Sequence, residues 1–117
     1  MDFNEYQEEA KRVAVYPKVL PDALKQSPTV LLYLTTCLSG EVGELAEKIK
    51  KLFRDKHGEL TPEIKELLSL ELGDILWYLS CFATELGIEL NEVAKSNTEK
   101  VQKRVKDHTL HGDGDHR

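Results

Sequence analysis

Thr61-Pro62-Glu63-Ile64-Lys65-Glu66-Leu67-Leu68-Ser69-Leu70-Glu71-Leu72-Gly73-Asp74-Ile75-Leu76-Trp77-Tyr78 opens a long apolar helix, and its reading decides the fold. Thr61 can cap the free amides of a helix and proline is tolerated in a first turn, so the helix starts here; the apolar pattern then runs to Leu86, where Gly87 is a stop. Glu71 and Asp74 stand three apart and share one face, amid Leu67, Leu68, Leu70, Ile75, Trp77 and Tyr78. Upstream, Ser27-Pro28 repeats the cap-then-proline start of a helix reaching about Phe53. It carries a second carboxylate pair, Glu41 and Glu44, beside Cys37, Leu38 and Leu45. The turn Lys56-His57-Gly58-Glu59-Leu60 makes these two helices antiparallel. Glu44 lies about nine residues before the expected end of its helix and Glu71 about ten after the start of the next, so at roughly 1.5 Å per residue the pairs stand at similar heights.

Outward from this hairpin, Tyr6, Ala10 and Val13 recur at helical intervals, which predicts a short helix from about Asn4 to Val15, ended by Tyr16-Pro17. Residues 17–26, with Pro21 inside, read as a loop. A last helix spans Asn91 to about Asp107, followed by the polar, glycine-bearing tail His111-Gly112-Asp113-Gly114-Asp115-His116-Arg117. No segment shows clean strand alternation. The expected fold is all-α: one domain over residues 1–117, an antiparallel helical bundle of about four helices with a short irregular C-terminal tail.

Composition narrows the partners. At 117 residues and 40% hydrophobic content the chain can bury a core, and an oligomer interface can supply part of that burial. A net charge of −5 and the lack of a basic stripe argue against nucleic acid. No secretory signal opens the chain and no run approaches a membrane span, so a cytoplasmic protein with no membrane partner is expected. Cys37 and Cys81 each lie in an apolar helical pattern without Cys-x-x-Cys spacing and read as buried thiols of a reducing compartment.

An ionised carboxylate on an apolar face costs several kcal/mol unless a cation or donors compensate it, and clustered like charges raise one another's pKa. A divalent metal answers both problems. Four carboxylates, Glu41, Glu44, Glu71 and Asp74, form an all-oxygen set suited to Mg²⁺, with Mn²⁺ as an alternative, and unsuited to zinc. No histidine stands three residues after a glutamate, which disfavours a helical di-iron site. Such a metal site suits phosphoryl or nucleotidyl chemistry and calls for cations to hold phosphates. Lys48, Lys51 and Arg54 lie beyond the acids on their helix, and Asn97, Lys100 and Arg104 share a face of the last helix; late basic residues also simply complement a helix dipole. Glu47 either adds a further oxygen or forms an outward salt bridge.

Glu41-Val42-Gly43-Glu44, a spacer, then Glu71-Leu72-Gly73-Asp74, with Asn97-x-x-Lys100-x-x-x-Arg104 and the tail Gly112 to Arg117, resembles the MazG-related all-α nucleoside triphosphate pyrophosphohydrolases over nearly the whole chain. That resemblance implies Mg²⁺ on Glu41, Glu44, Glu71 and Asp74, and phosphate held by Lys100 and Arg104 with Asn97 near the sugar or phosphates. It also implies attack of a metal-activated water on the α-phosphorus of a (deoxy)nucleoside triphosphate, giving monophosphate and pyrophosphate. Tyr78, one turn after Asp74, stands where some relatives set an aromatic against the base, or is a core tyrosine; Tyr16 is a second candidate, and Trp77 suits a core or subunit interface. Glu41 or Glu44 would orient the water. Relatives assemble as dimers or tetramers, so a homo-oligomer is expected. Many relatives carry another acid where this chain has Gly40. The alternative from another class is a helical oligomer that binds nucleotide or metal without turnover.

Overall fold

The computed structural model describes residues 1–26 and 28–117. Among these described residues five helices follow in order: α1 (Phe3–Val13), α2 (Tyr16–Val19, one turn), α3 (Thr29–Lys56), α4 (Pro62–Leu86) and α5 (Leu90–Lys106), with a 3-10 turn at Asp22–Leu24. No strand occurs among the described residues, so the fold is all-α as expected. α3 packs along α4, and α1 packs on α4 and on α5.

Local chemistry explains the boundaries. Thr61 Oγ1 accepts from the Ile64 N–H at 3.3 Å, the cap expected for α4. At its other end Gly87 adopts φ +67°, and the Ile88 N–H returns to the Ala83 carbonyl at 2.9 Å, a Schellman closure. α3 outruns the expected end at Phe53 and stops at Lys56, where His57 and Gly58 both take left-handed backbone. The Ser27 cap lies outside the described residues; α3 begins after Pro28. α1 starts earlier than expected because Asp2 and Glu5 form a reciprocal capping box. It also ends earlier, at Val13, since Ala14 is extended and Tyr16-Pro17 opens α2 rather than closing α1. Part of the expected loop is thus helical.

The core is small: Tyr16, Leu20, Val30, Leu34 and Cys81, flanked by Tyr33, Trp77, Tyr78 and Phe82. Leu34 is fully buried, and Cys81 is buried with its thiol pushed up to about 12 by desolvation, as expected of an inert thiol. Cys37 is only half-buried and free. Large apolar side chains stay exposed along the long hairpin, among them Leu32, Phe53, Leu70 and Leu72. The radius of gyration, 17.3 Å, exceeds the roughly 13 Å of a compact domain of this length, because α3 and α4 project beyond what α1 and α5 cover.

One expectation needs correcting. α4 is, over an 18-residue window with mean hydropathy 1.2, long and apolar enough to cross a membrane. Only 22% of that window is buried: α4 packs on α3 and α1, while Leu67, Leu70, Leu72 and Leu79 stay exposed.

Candidate metal and phosphate site

The antiparallel hairpin brings Glu41 and Glu44 of α3 against Glu71 of α4, one carboxylate oxygen from each lying within 4.8 Å of the others. Glu71 is buried at 6% exposure, Glu41 is half-buried and Glu44 is exposed. Lys48 Nζ meets Glu71 Oε1 at 2.6 Å, while Glu71 Oε2 is buried with no hydrogen-bond partner. Asp74 is exposed and outside this close trio, yet near enough for its charge to act on Glu41. The Glu41 carboxyl is held above its ordinary range, first by desolvation and then by Glu44, Asp74 and Glu71.

The sequence offers Lys48 as a candidate phosphate-binding cation, whereas the fold makes it the internal counterion of Glu71. Spacing along the chain offers only Glu44, four residues before it, as a partner, and the pairing with Glu71 comes from the packing of α3 on α4. The ammonium is held above its ordinary range by the hydrogen bond to Glu71 and by the charges of Glu71 and Glu44. Glu47 points to an outward network instead, pairing with Lys50 at 2.7 Å and Lys51 at 3.6 Å. A Cβ built on Gly40 meets nothing within 4 Å, so no close packing requires glycine there.

The donor set fits a hard divalent cation. It is all oxygen, it concentrates negative charge, and it contains a buried carboxylate oxygen that no protein donor satisfies. Glu41, Glu44 and Glu71 are the residues that could hold such an ion, with Asp74 beside them.

Tyr78 packs against the core cluster and edge-on to Trp77, ring centroids 5.1 Å apart; its hydroxyl is pushed up to about 12 by burial, then by a hydrogen bond with Cys37 and by nearby charges including Glu41. Tyr16 is buried, and its hydroxyl donates to Glu85 at 2.7 Å. Its group is thereby spent in the core.

The cations of α5 stand apart from the acids. Among the described residues no hydrogen bond or ion pair joins Asn97, Lys100 or Arg104 to the acid trio, since α5 packs chiefly on α1. Asn97 is exposed. Lys100 Nζ lies 3.4 Å from Asp115 Oδ1. Arg104 is buried, with Nη2 donating to the carbonyls of Asp115 (2.9 Å) and Gly114 (3.3 Å).

Against this geometry, residues 30–109 match the model of the MazG nucleotide pyrophosphohydrolase domain. The chain belongs to the MazG family. This MazG protein is 39% identical over 113 residues to the Gene 37 protein of Mycobacterium phage L5, covering 96% of each chain. It is also 34% identical over 70 residues to the uncharacterized protein YpjD of Bacillus subtilis (strain 168), covering 60% of this chain and 62% of that one. No solved structure gives a significant match. The family match spans both acid pairs and the α5 cations, and stops before the last eight residues of the tail.

Proposed function

We propose that this MazG protein hydrolyses a (deoxy)nucleoside triphosphate at the α-phosphorus. Water oxygen bonds to that phosphorus, the bond to the bridging oxygen breaks, and the products are the nucleoside monophosphate, pyrophosphate and a proton. The observation that carries this reading is the buried, unpartnered Glu71 Oε2 within a trio of carboxylates on one hairpin, in a chain of this family.

Glu41, Glu44, Glu71 and Asp74 would hold Mg²⁺, or Mn²⁺ in its place, which when bound supplies positive charge to the triphosphate and acidifies a coordinated water. Glu71 is the fixed member, clamped by Lys48 and by burial. Glu41 and Glu44, the more accessible pair, orient the attacking water and receive its proton at a carboxylate oxygen. Lys100 and Asn97 serve the phosphates, and Tyr78, close enough for the Glu41 charge to act on its hydroxyl, serves the base.

A homo-oligomer, dimer or tetramer, belongs to the same proposal. Leu32 is 70% exposed, Phe53 69% and Leu70 60%, and the protomer is more open than a self-contained domain of its length. Assembly would cover these side chains and can bring one copy's α5 to another's acids.

The test is to incubate the protein with a panel of ribo- and deoxynucleoside triphosphates and Mg²⁺ and separate the products by anion exchange, with Asp74→Ala as control. Monophosphate and pyrophosphate from the wild type alone are expected. Tight nucleotide binding without product would instead make the chain a non-catalytic binder.

A further inference from the structure

The C-terminal residues form a hook on α5. His108 takes a left-handed conformation (φ 56°), the Thr109 N–H returns to the Arg104 carbonyl at 2.8 Å, and Gly112 (φ 141°) and Gly114 (φ 82°) turn the chain back. Arg117 closes the hook on itself, donating from Nη2 to the Leu110 carbonyl at 3.2 Å and from Nη1 to the Gly114 carbonyl. Arg104 fastens it to the helix: its side chain is 10% exposed, and Nη2 is committed to the Asp115 and Gly114 carbonyls. So pinned, the hook sets the Asp115 carboxylate 3.4 Å from Lys100 Nζ and 3.5 Å from Arg104 Nη2. A cleft lined by Lys100, Lys103, Asp115, His116 and Arg117 opens beside it.

With Nη2 spent on two carbonyl oxygens and Nε buried without a partner, a guanidinium only 10% exposed offers little to a phosphate while the hook is closed. Lys100 is in the opposite position. Its side chain is 38% exposed, and an ammonium has three donors, of which Asp115 takes one. We propose that Arg104 and Asp115 are positioning residues: Arg104 pins the C-terminal hook, and the hook's Asp115 holds the Lys100 ammonium in place to receive the phosphates of the substrate. This rests on the reading that Lys100 meets the triphosphate, and it departs from the phosphate-binding role that family resemblance lends Arg104.

The test measures pyrophosphate affinity by calorimetry, which needs no turnover, alongside KM and kcat for the preferred triphosphate. Four variants are compared with wild type: Asp115→Asn, Arg104→Gln, a chain ended at Leu110, and Arg104→Gln in the shortened chain. Asp115→Asn removes an exposed ion pair and should weaken pyrophosphate binding and raise KM about threefold, with kcat held. Ending the chain at Leu110 should weaken binding about tenfold, Arg104→Gln should match it, and the combination should be no worse than either. If Arg104 itself binds phosphate, the shortened chain will bind as well as wild type or better, and Arg104→Gln will cost a further tenfold in it; that result overturns the proposal. Tighter binding by Asp115→Asn also overturns it, by making the carboxylate a competitor of phosphate. Should the shortened chain misfold by circular dichroism, Asp115→Asn, an isosteric surface change, still decides. Wild type that binds pyrophosphate with the expected pattern yet hydrolyses nothing would sink the hydrolase reading and keep this one, and an active enzyme indifferent to all four changes would do the reverse.

Discussion

Glu71→Gln separates a strained cation cage from a structural ion pair. One carboxylate oxygen from each of Glu41, Glu44 and Glu71 lies within 4.8 Å of the others. At that separation and an effective dielectric of about 20, each carboxylate pair repels by about 3 kcal/mol. Glu44 is exposed and Glu41 half-buried, so solvent screening reduces each of the two interactions felt by Glu71 to about 1 kcal/mol. Glutamine keeps the volume, can still accept from Lys48, and places an amide donor where the charge was. Against the lost ion pair, metal-free stability should rise by about 1 kcal/mol, or roughly 4 °C in Tm for a chain of this length. With Mn²⁺ at about a hundred times its Kd, the wild type should gain about 2.7 kcal/mol, roughly 10 °C, and the variant a small fraction of that. Circular-dichroism melts at one protein concentration, in chelator and in Mn²⁺, read both effects. A loss above about 2 kcal/mol in chelator would show that Glu71 and Lys48 form a structural pair, and an undiminished metal shift would place the ion elsewhere.

Three further outcomes follow from the packing and the charges. Gln7→Ala should cost about 2 kcal/mol and speed hydrogen exchange at the start of α5, because Gln7 is buried and its Oε1 accepts from the Leu90 N–H at 2.8 Å while Nε2 donates to the Ile88 carbonyl at 2.9 Å. Leu34→Ala, at a fully buried position, should cost about 3 kcal/mol in urea melts with little change in slope. For Glu41, whose carboxyl is held above its ordinary value of 4.5, the folded state binds the proton more tightly than the unfolded state, so the stability owed to this group falls as pH rises through that window. The stability of Glu41→Gln minus wild type, measured in chelator, should therefore grow as pH rises from about 4 and level off above the raised pKa; a difference flat with pH would contradict the assignment.

Much of the framework is legible in the chain because its signals are local. Thr61-Pro62 and Gly87 bound α4 through capping bonds that span only a few residues, and the short turn around Gly58 leaves two long helices no arrangement but antiparallel. Helical rise puts Glu41, Glu44 and Glu71 at similar heights on the hairpin, while the packing of α3 on α4 decides that these three meet and that Asp74 stands outside. Local rules also erred where two signals met. Tyr16-Pro17 reads as a stop or as a start, and it became a start because Tyr16 is drawn into the core with Leu20 and Leu34.

What the tertiary structure decided lies in partners far apart in sequence. α5 begins without a side-chain cap of its own, and its first amides are satisfied by Gln7 and Asn4 of α1, a pairing that no local pattern encodes. Lys48 became the counterion of Glu71 rather than a free cation, since only the packing of α3 on α4 brings a nitrogen to 2.6 Å from that oxygen. Arg104 shares a helix face with Lys100 in the sequence, yet the returning tail buries one and leaves the other accessible. Periodicity determines which residues share a face of a helix. What that face meets depends on long-range packing, and burial by that packing sets which charges remain free to bind.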